Sequence, residues 1–179
     1  DMPTLLVVGG SLGTRTLNEM MKRWILSLEG EAPVQVIWQT GRIYETEMKN
    51  FLRDYPTANI WQGAFIDRMD YAYEIADVVI SRSGACTVSE LCLAGKPTLF
   101  VPSPNVAEDH QTKNAKALVD VKAARMVADR DAVDCGISTA LRMIADEREL
   151  AMLTANISRL AIADSADRVA DEILKHSKE

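Results

Sequence analysis

The sequence predicts an α/β fold with a doubly wound, mostly parallel, Rossmann-like sheet. Short apolar runs alternate with amphipathic segments along the chain, an alternation that is typical of βαβ units. The strand-like runs are apolar at consecutive positions rather than at every second position, as expected for strands that are covered on both faces. With 179 residues, of which 47% are hydrophobic, the chain is long enough to bury one core.

Each element follows from its local pattern. Leu5–Val8 is a continuous apolar run that ends at Gly9, and the segment after it repeats apolar residues at helical spacing. The predicted strands are Leu5–Val8, Val34–Trp38, Asn59–Trp61, Val78–Ile80, Thr98–Val101 and Ala124–Val127. The predicted helices are Thr14–Leu28, Tyr44–Leu52, Asp67–Ala76, Thr87–Ala94 and Asp109–Val119, with Asp67 and Asp109 as N-cap candidates, followed by a helical region from Asp131 onward.

Composition and charge exclude several classes of function. Lys and Arg number 20 against 26 Asp and Glu, which gives a formal net charge of −6, and the cations are dispersed. Nucleic acids and anionic membranes attract clustered cations, so we expect neither a nucleic-acid binder nor a polybasic membrane anchor. No apolar run approaches the roughly 20 residues that cross a bilayer. Asp1–Thr4 lead directly into the first strand without a basic segment, so we expect no signal peptide.

Residues that bind metals or form disulfides are few. The three cysteines are odd in number and lack Cys-x-x-Cys spacing, so we expect free thiols in a reducing cytoplasm. The two histidines have no paired carboxylates around them, which argues against a zinc site. Asp129-Arg130-Asp131 has the spacing of an acidic metal motif, but it follows a weak strand, and we interpret it as a solvated turn and helix cap.

The loops that follow strands are the candidate sites, because ligands of a doubly wound sheet bind beyond the carboxyl ends of the strands. The first loop is Gly9–Gly13, where glycines allow close backbone approach and free amides at a helix start favour an anion. A tight turn without a ligand is the alternative. Ser11 and Thr14 replace the second and third glycines of the dinucleotide fingerprint, so a nicotinamide or flavin dinucleotide is disfavoured.

The second loop is Ser81–Glu90. Gly84 permits a sharp turn, and the small residues after it leave room for a diphosphate over the amides from Ala85 to Thr87. Glu90 has two interpretations. It forms a capping box with Thr87 as the N-cap, or its carboxylate accepts hydrogen bonds from the hydroxyls of a ribose. The loop is not a Walker motif, because the Gly-Lys pair farther on is followed by proline.

Two further loops carry residues that suit a sugar or a flat base. In Pro102–Ala115, the neutral side chains of His110, Gln111 and Asn114 suit sugar hydroxyls. The alternative is that Asp109 simply caps the helix and His110 is solvated. In Gly63–Met69, a flat base can rest on Phe65 or Met69 and pair with the backbone of Ile66. The alternative there is an ordinary hydrophobic helix entry.

Taken together, the four loops resemble the donor-binding half of the MurG family, which adds N-acetylglucosamine to undecaprenyl-linked muramyl pentapeptide in peptidoglycan synthesis. Order and spacing agree from Leu5 to Val127. Leu12 stands where many relatives carry Gln, and His110 where some carry Gln. The matching stretches are Gly9–Gly13 with Arg15, Leu17 and Asn18; Phe65–Met69 with Ala72, Tyr73, Ala76 and Asp77; Ile80–Ala85 with Thr87, Ser89, Glu90 and Gly95–Pro97; and Val101–Pro104 with Asp109–Gln111, Asn114 and Ala115.

The resemblance implies a set of donor-binding residues. The first and second loops would meet the diphosphate of UDP-N-acetylglucosamine, Ile66 would meet uracil, Glu90 the ribose, and Gln111, with His110, the sugar. No catalytic residue is expected in this chain, because the family places the general base and the acceptor site in the N-terminal half. The implied donor-binding residues are Gly10, Ser11, Gly13, Ile66, Gly84, Ala85, Cys86, Thr87, Val88, Ser89, Glu90, His110, Gln111 and Asn114.

The resemblance also implies an organisation and a location. Residues 1–165 would form the nucleotide-sugar-binding domain of a glycosyltransferase-B fold, and residues 166–179 a helix that reaches toward the N-terminal domain. The implied reaction is an inverting transfer from UDP-N-acetylglucosamine to lipid I, with no cofactor and no obligatory metal. The whole protein would be peripheral on the cytoplasmic face of the inner membrane, without insertion by this chain. The alternatives are another UDP-sugar glycosyltransferase, an epimerase of the same fold, or a non-catalytic nucleotide-binding module.

Overall fold

A computed structural model describes residues 2–176, and within them all but the side chain of Ala166. Six strands form one sheet in the order β3-β2-β1-β4-β5-β6, and every neighbouring pair is parallel. This confirms the predicted doubly wound α/β fold. The strands are β1 (Thr4–Val8), β2 (Gln35–Gln39), β3 (Ile60–Gly63), β4 (Val78–Ser81), β5 (Thr98–Phe100) and β6 (Arg125–Met126).

Helices cover both faces of the sheet. They are α1 (Arg15–Leu26), α2 (Glu45–Asp54), α3 (Met69–Ile75), α4 (Ala85–Ala94), α5 (His110–Asp120), α6 (Asp129–Ala145), α7 (Glu147–Ser158) and α8 (Ser165–His176), with a 3-10 turn at Ala107–Asp109. None of these described helices is both long and apolar enough to cross a membrane.

The two faces of β1 explain why its sequence is apolar at consecutive positions. Leu5 and Val7 pack into a core with α1, α2 and α6, whereas Leu6 and Val8 pack into a second core with α3, α4 and α5. Successive side chains of a strand point to opposite faces, so a strand buried on both sides needs an apolar residue at every position.

Several predicted boundaries are wrong, and the backbone gives the reason. Asn59 has a φ of 68°, a left-handed conformation that asparagine tolerates, so β3 begins after it. Helix α3 begins at Met69 with Arg68 at its N-cap position, so Asp67 is not its cap. Asp109 does occupy the N-cap position of α5, but with a φ of 52° and without a side-chain capping bond.

The C-terminal helix α8 begins at Ser165, one residue before the predicted start at residue 166, and exposes Val169, Ile173 and Leu174. The predicted division into 1–165 and 166–179 stays a prediction. Residue 1 and residues 177–179, which fall within it, lie outside the described residues.

Candidate functional site

The strand order places a crevice at the carboxyl ends of β1 and β4. These two strands are neighbours in the middle of the sheet, and the chain leaves β1 toward β2 on one side and β4 toward β5 on the other. The loops after β1 and β4 therefore diverge to opposite faces, and the gap between them is the usual ligand position of a doubly wound sheet. The first two predicted loops border this gap.

The loop after β1 is shaped by glycines. Gly10 and Gly13 have φ values of 81° and 88°, and the amide of Gly13 donates to the carbonyl oxygen of Gly10 at 3.0 Å. A Cβ built on Gly13 would lie 2.2 Å from the carbonyl oxygen of Thr40, whereas a Cβ on Gly10 would meet nothing within 4 Å. Gly13 thus allows two backbones to touch, while Gly10 borders open space.

The start of α1 has no side-chain cap and no acidic residue in its first turn. Thr14 stands at the N-cap position, but its hydroxyl donates to the carbonyl oxygen of Gly9 at 2.8 Å. The first backbone bond of the helix is donated by Asn18 to Thr14. The amides before Asn18 point out of the helix end, where a bound anion can accept hydrogen bonds from them.

The start of α4 is uncapped in the same way. Gly84 is its N-cap residue, no side chain caps it, and its first turn contains no acidic residue. The amide of Val88 makes the first helical bond, to the carbonyl oxygen of Gly84 at 2.9 Å. The amides of Ala85, Cys86 and Thr87 precede that bond and form the predicted diphosphate surface. Because Thr87 lies inside the first turn, the capping-box interpretation of Glu90 is wrong.

Glu90 is instead paired with a tyrosine. The hydroxyl of Tyr73 on α3 donates to Glu90 Oε2 at 3.2 Å. Burial, reinforced by the charge of Glu90, raises the pKa of Tyr73, so the hydroxyl keeps its proton and remains a donor. Both side chains line a cavity of about 510 Å³ that also includes Met69 of the fourth loop. Ile66 in that loop is 9% exposed.

Gln111 and Asn114 brace the loop after β4. Gln111 Oε1 accepts the amide of Ser103 at 2.9 Å and that of Ser83 at 3.4 Å. The hydroxyl of Ser83 donates to the carbonyl oxygen of Gln111 at 2.8 Å, and Asn114 Nδ2 donates to that of Ser83 at 3.0 Å. Ser83 is fully buried, so these bonds fix the backbone immediately before Gly84. These bonds join α5 to the predicted diphosphate loop.

His110 and Cys86 lie on the surface. His110 Nδ1 is 2.9 Å from the carbonyl oxygen of Ala107, and the two residues before it, Glu108 and Asp109, both have left-handed backbones. Consecutive non-glycine residues of this kind are strained, and such strain concentrates at functional sites. Cys86 is exposed, whereas burial of Cys92 raises the pKa of its thiol, and neither is in a disulfide.

The chain matches the model of the glycosyltransferase family 28 C-terminal domain over residues 4–169. It belongs to this family. This family 28 domain is 53% identical over 98% of its length to a Parabacteroides distasonis protein, and 46% identical over 98% to one from Porphyromonas gingivalis. Both are named UDP-N-acetylglucosamine--N-acetylmuramyl-(pentapeptide) pyrophosphoryl-undecaprenol N-acetylglucosamine transferase. The chain covers 47% and 46% of them, about half the length of these curated relatives.

Solved structures agree with this assignment. A crystal structure of MurG from Acinetobacter baumannii superposes with a TM-score of 0.81 and 32% identity, covering 98% of this domain and 50% of that chain. The calicheamicin glycosyltransferase CalG4 superposes with a TM-score of 0.73 at 17% identity, covering 98% of this domain and 43% of that chain, which is a likeness of fold alone. The resemblance to the MurG family and the glycosyltransferase-B fold predicted from the sequence are therefore confirmed.

Sequence reasoning missed one polar cluster in this family 28 domain. Asp129 is not a solvated cap residue. Its side chain is 21% exposed, forms an ion pair with Arg82 of the second loop and accepts a hydrogen bond from Thr16 on α1. Nothing local signals this pairing, because Arg82 and Thr16 are distant from Asp129 in the sequence. Within residues 2–176, no group of three or more His, Cys, Asp and Glu residues has a metal-binding arrangement.

Proposed function

We propose that this chain is the donor-binding half of an inverting glycosyltransferase that moves N-acetylglucosamine from UDP-N-acetylglucosamine to lipid I, making lipid II. The observation that carries the proposal is the identity of 53% across nearly the whole chain to a relative named for this transfer. The uncapped helix starts on either side of the crevice support it independently, since they suit the anionic part of a nucleotide sugar.

The diphosphate is the group that the crevice suits best. Its oxygens accept hydrogen bonds from the amides at the start of α4, from Ala85 to Thr87. They also contact Gly10, Ser11 and Gly13 in the loop before α1. As the bond to the sugar breaks, negative charge grows on the departing UDP. Positive helix ends already in position stabilise this charge, and the transfer then needs no obligatory metal.

The nucleoside and the sugar extend to either side of the diphosphate. Uracil pairs with the backbone of Ile66, and the ribose hydroxyls donate to the carboxylate of Glu90, which Tyr73 holds in place. The bonds of Gln111 described above use its oxygens, so its side-chain amide hydrogens remain to donate to the sugar. His110 lies beside it, and Val88 and Ser89 complete the wall.

The rest of the reaction belongs to a part of the protein outside this chain. The general base and the acceptor site lie in an N-terminal half, which accounts for the other half of the relatives' length. The isolated chain therefore binds uridine nucleotides and transfers no sugar. We also propose that the whole protein is bound to the surface of the inner membrane at its cytoplasmic face, and the undecaprenol-linked acceptor in the relatives' names supports a location at a membrane.

The exposed thiol of Cys86 provides a direct test. Alkylation of Cys86 by iodoacetamide, followed by peptide mass spectrometry, is expected to slow about tenfold at a UDP concentration ten times the Kd. Cys135, on α6, serves as an internal control whose alkylation rate UDP leaves unchanged. An unprotected Cys86 at millimolar UDP, together with no heat of binding in calorimetry, contradicts the proposal.

Competition between donors separates the alternatives. A tighter complex with UDP-N-acetylglucosamine than with UDP-glucose supports the proposed transferase, whereas the reverse preference favours another UDP-sugar enzyme of this fold. A chain that binds UDP equally well with either sugar or none, and that remains inactive when joined to the N-terminal half, is a nucleotide-binding module.

A further inference from the structure

Three polar side chains, those of Arg82, Asp129 and Thr16, connect the two sides of the crevice. Arg82, in the loop before α4, donates from Nη1 to the carbonyl oxygen of Val101 at 2.7 Å and lies 2.5 Å from Asp129 Oδ1. Asp129 Oδ2 accepts the hydroxyl of Thr16, in the first turn of α1, at 3.1 Å. Asp129 therefore touches one residue beside each of the two uncapped helix starts.

The burial of this cluster distinguishes it from an ordinary surface ion pair. The Arg82 and Asp129 side chains are 16% and 21% exposed. A second ion pair, Arg23–Asp134, joins α1 and α6, the helices that carry Thr16 and Asp129, but its side chains are 66% and 64% exposed. Exposed pairs fix geometry weakly, whereas a partly buried pair with additional hydrogen bonds holds its partners in one arrangement.

We infer that Asp129 is a positioning residue for the donor's diphosphate, an inference that rests on the function proposed above. It acts through Thr16 and Arg82, which it holds at a fixed separation, so that the amides at the starts of α1 and α4 face the same anion. Donors arranged before the ligand arrives cost no reorganisation when it binds, which is how fixed amides stabilise an anion.

The inference is testable because charge repulsion and positioning predict opposite changes in UDP affinity when the charge of Asp129 is removed. Asp129 is an acid near an anion site, so Coulomb repulsion alone predicts that removing its charge tightens UDP binding. Its removal also frees Arg82, whose cation would then be available to a phosphate. Positioning predicts the opposite, since the loop before α4 loses its anchor and the two helix starts lose their alignment.

The experiment compares Asp129→Asn with Asp134→Asn, a matched control with the same charge change on the same helix. UDP and uridine are each titrated by NMR into the 179-residue chain, and melting temperatures are recorded. We expect the Kd for UDP to rise about tenfold in Asp129→Asn relative to the control, and the Kd for uridine to stay unchanged. Uridine lacks the diphosphate, so general loosening of the fold would weaken both ligands.

Thr16→Val keeps the inference falsifiable if Asp129→Asn does not fold, because it removes only one hydroxyl. We expect it to weaken UDP binding about threefold without an effect on uridine. Equal losses for UDP and uridine, unchanged UDP binding, or tighter UDP binding would overturn the inference. If the wild-type chain binds no UDP, the proposed function itself is contradicted. If the wild-type chain binds UDP and Asp129→Asn binds it equally well, only the inference about Asp129 is overturned.

Discussion

The helices that begin beside the crevice differ from α7 and α2 in how their starts are stabilised. Helices α1 and α4 have neither a side-chain cap nor an acidic residue in the first turn. Helix α7 has both: Asp146 Oδ1 accepts the amides of Arg148 and Glu149 at 3.1 and 3.0 Å, and Glu147 and Glu149 lie in its first turn. Helix α2 also begins with acidic residues.

This difference separates stability from binding. At a capped helix start, a side chain of the same chain accepts hydrogen bonds from the first amides, and an acid there interacts favourably with the helix dipole. An uncapped start forgoes that stabilisation and leaves its amides for a ligand. Helices α1 and α4 lack both forms of stabilisation and begin where the sheet order opens a crevice, as the proposed binding of a diphosphate by their amides requires.

The largest effect is expected where the crevice depends on backbone contact. Gly13→Ala places a Cβ 2.2 Å from the carbonyl oxygen of Thr40 at a φ of 88°, and should lower the free energy of unfolding by roughly 2–5 kcal/mol. Gly10→Ala is the control, with a similar φ of 81° but open space around it. Urea denaturation measures both, and equal losses would show that strain, not the backbone contact, makes Gly13 necessary.

The ribose contact should come next. Glu90→Ala removes the carboxylate that Tyr73 orients, and is expected to weaken UDP binding by about 1–3 kcal/mol. Calorimetry with UDP measures this change, and Tyr73→Phe should give a smaller loss because the carboxylate remains. A lowered melting temperature with unchanged UDP affinity would assign Glu90 a purely structural role.

Making the start of α4 resemble those of α7 and α2 tests the comparison directly. Ala85→Glu puts an acid into an exposed first-turn position of α4, and should weaken UDP binding by about 1–2 kcal/mol through repulsion of the diphosphate. The same change should leave the melting temperature equal or raised, because the acid interacts favourably with the helix dipole. Ala85→Gln, similar in size but uncharged, is the control, and an equal loss with Gln would indicate steric blocking.

The smallest effect on the site is expected at the start of α7. Asp146→Ala removes the cap of α7 and should lower the free energy of unfolding by about 1 kcal/mol. The Kd for UDP should not change, since α7 supplies none of the predicted donor residues. A shift in UDP affinity would show that the start of α7 and the crevice are coupled, and would contradict the separation of stability from binding.

The sheet was predictable from the sequence because its strands signal their environment locally. Consecutive apolar residues such as those of β1 occur where both faces are covered, so the fold class and the buried central strands could be predicted. The outer strands β3 and β6 are more exposed and were predicted from their place in the alternation of strands and helices. Helix starts were less predictable. The preference for Ser, Thr and Asp as caps suggested Asp67 and Thr87, but Arg68 and Gly84 occupy the N-cap positions.

The supporting contacts of the site could not be predicted, because they depend on tertiary structure. Asp129 looked like a solvated turn residue until the sheet brought Arg82 and Thr16 to it. Gln111 and Asn114 were predicted to contact the ligand, but their structural bonds to Ser83 required knowledge of how α5 lies against the loop after β4. Spacing in the sequence identifies a loop, and only the fold shows what holds it.

The contact between Gly13 and Gly41 has a consequence for how this domain can diversify. A Cβ on Gly41 would lie 2.1 Å from the amide nitrogen of Gly13, so neither position accepts a side chain while the two backbones touch. The turns that follow β1 and β2 are thereby locked to each other, and natural variation or engineering of donor choice has to act elsewhere. The backbone of Leu12 also borders Gly41, but its side chain is exposed, so a substitution there can change the surface of the loop while the backbone contact stays intact.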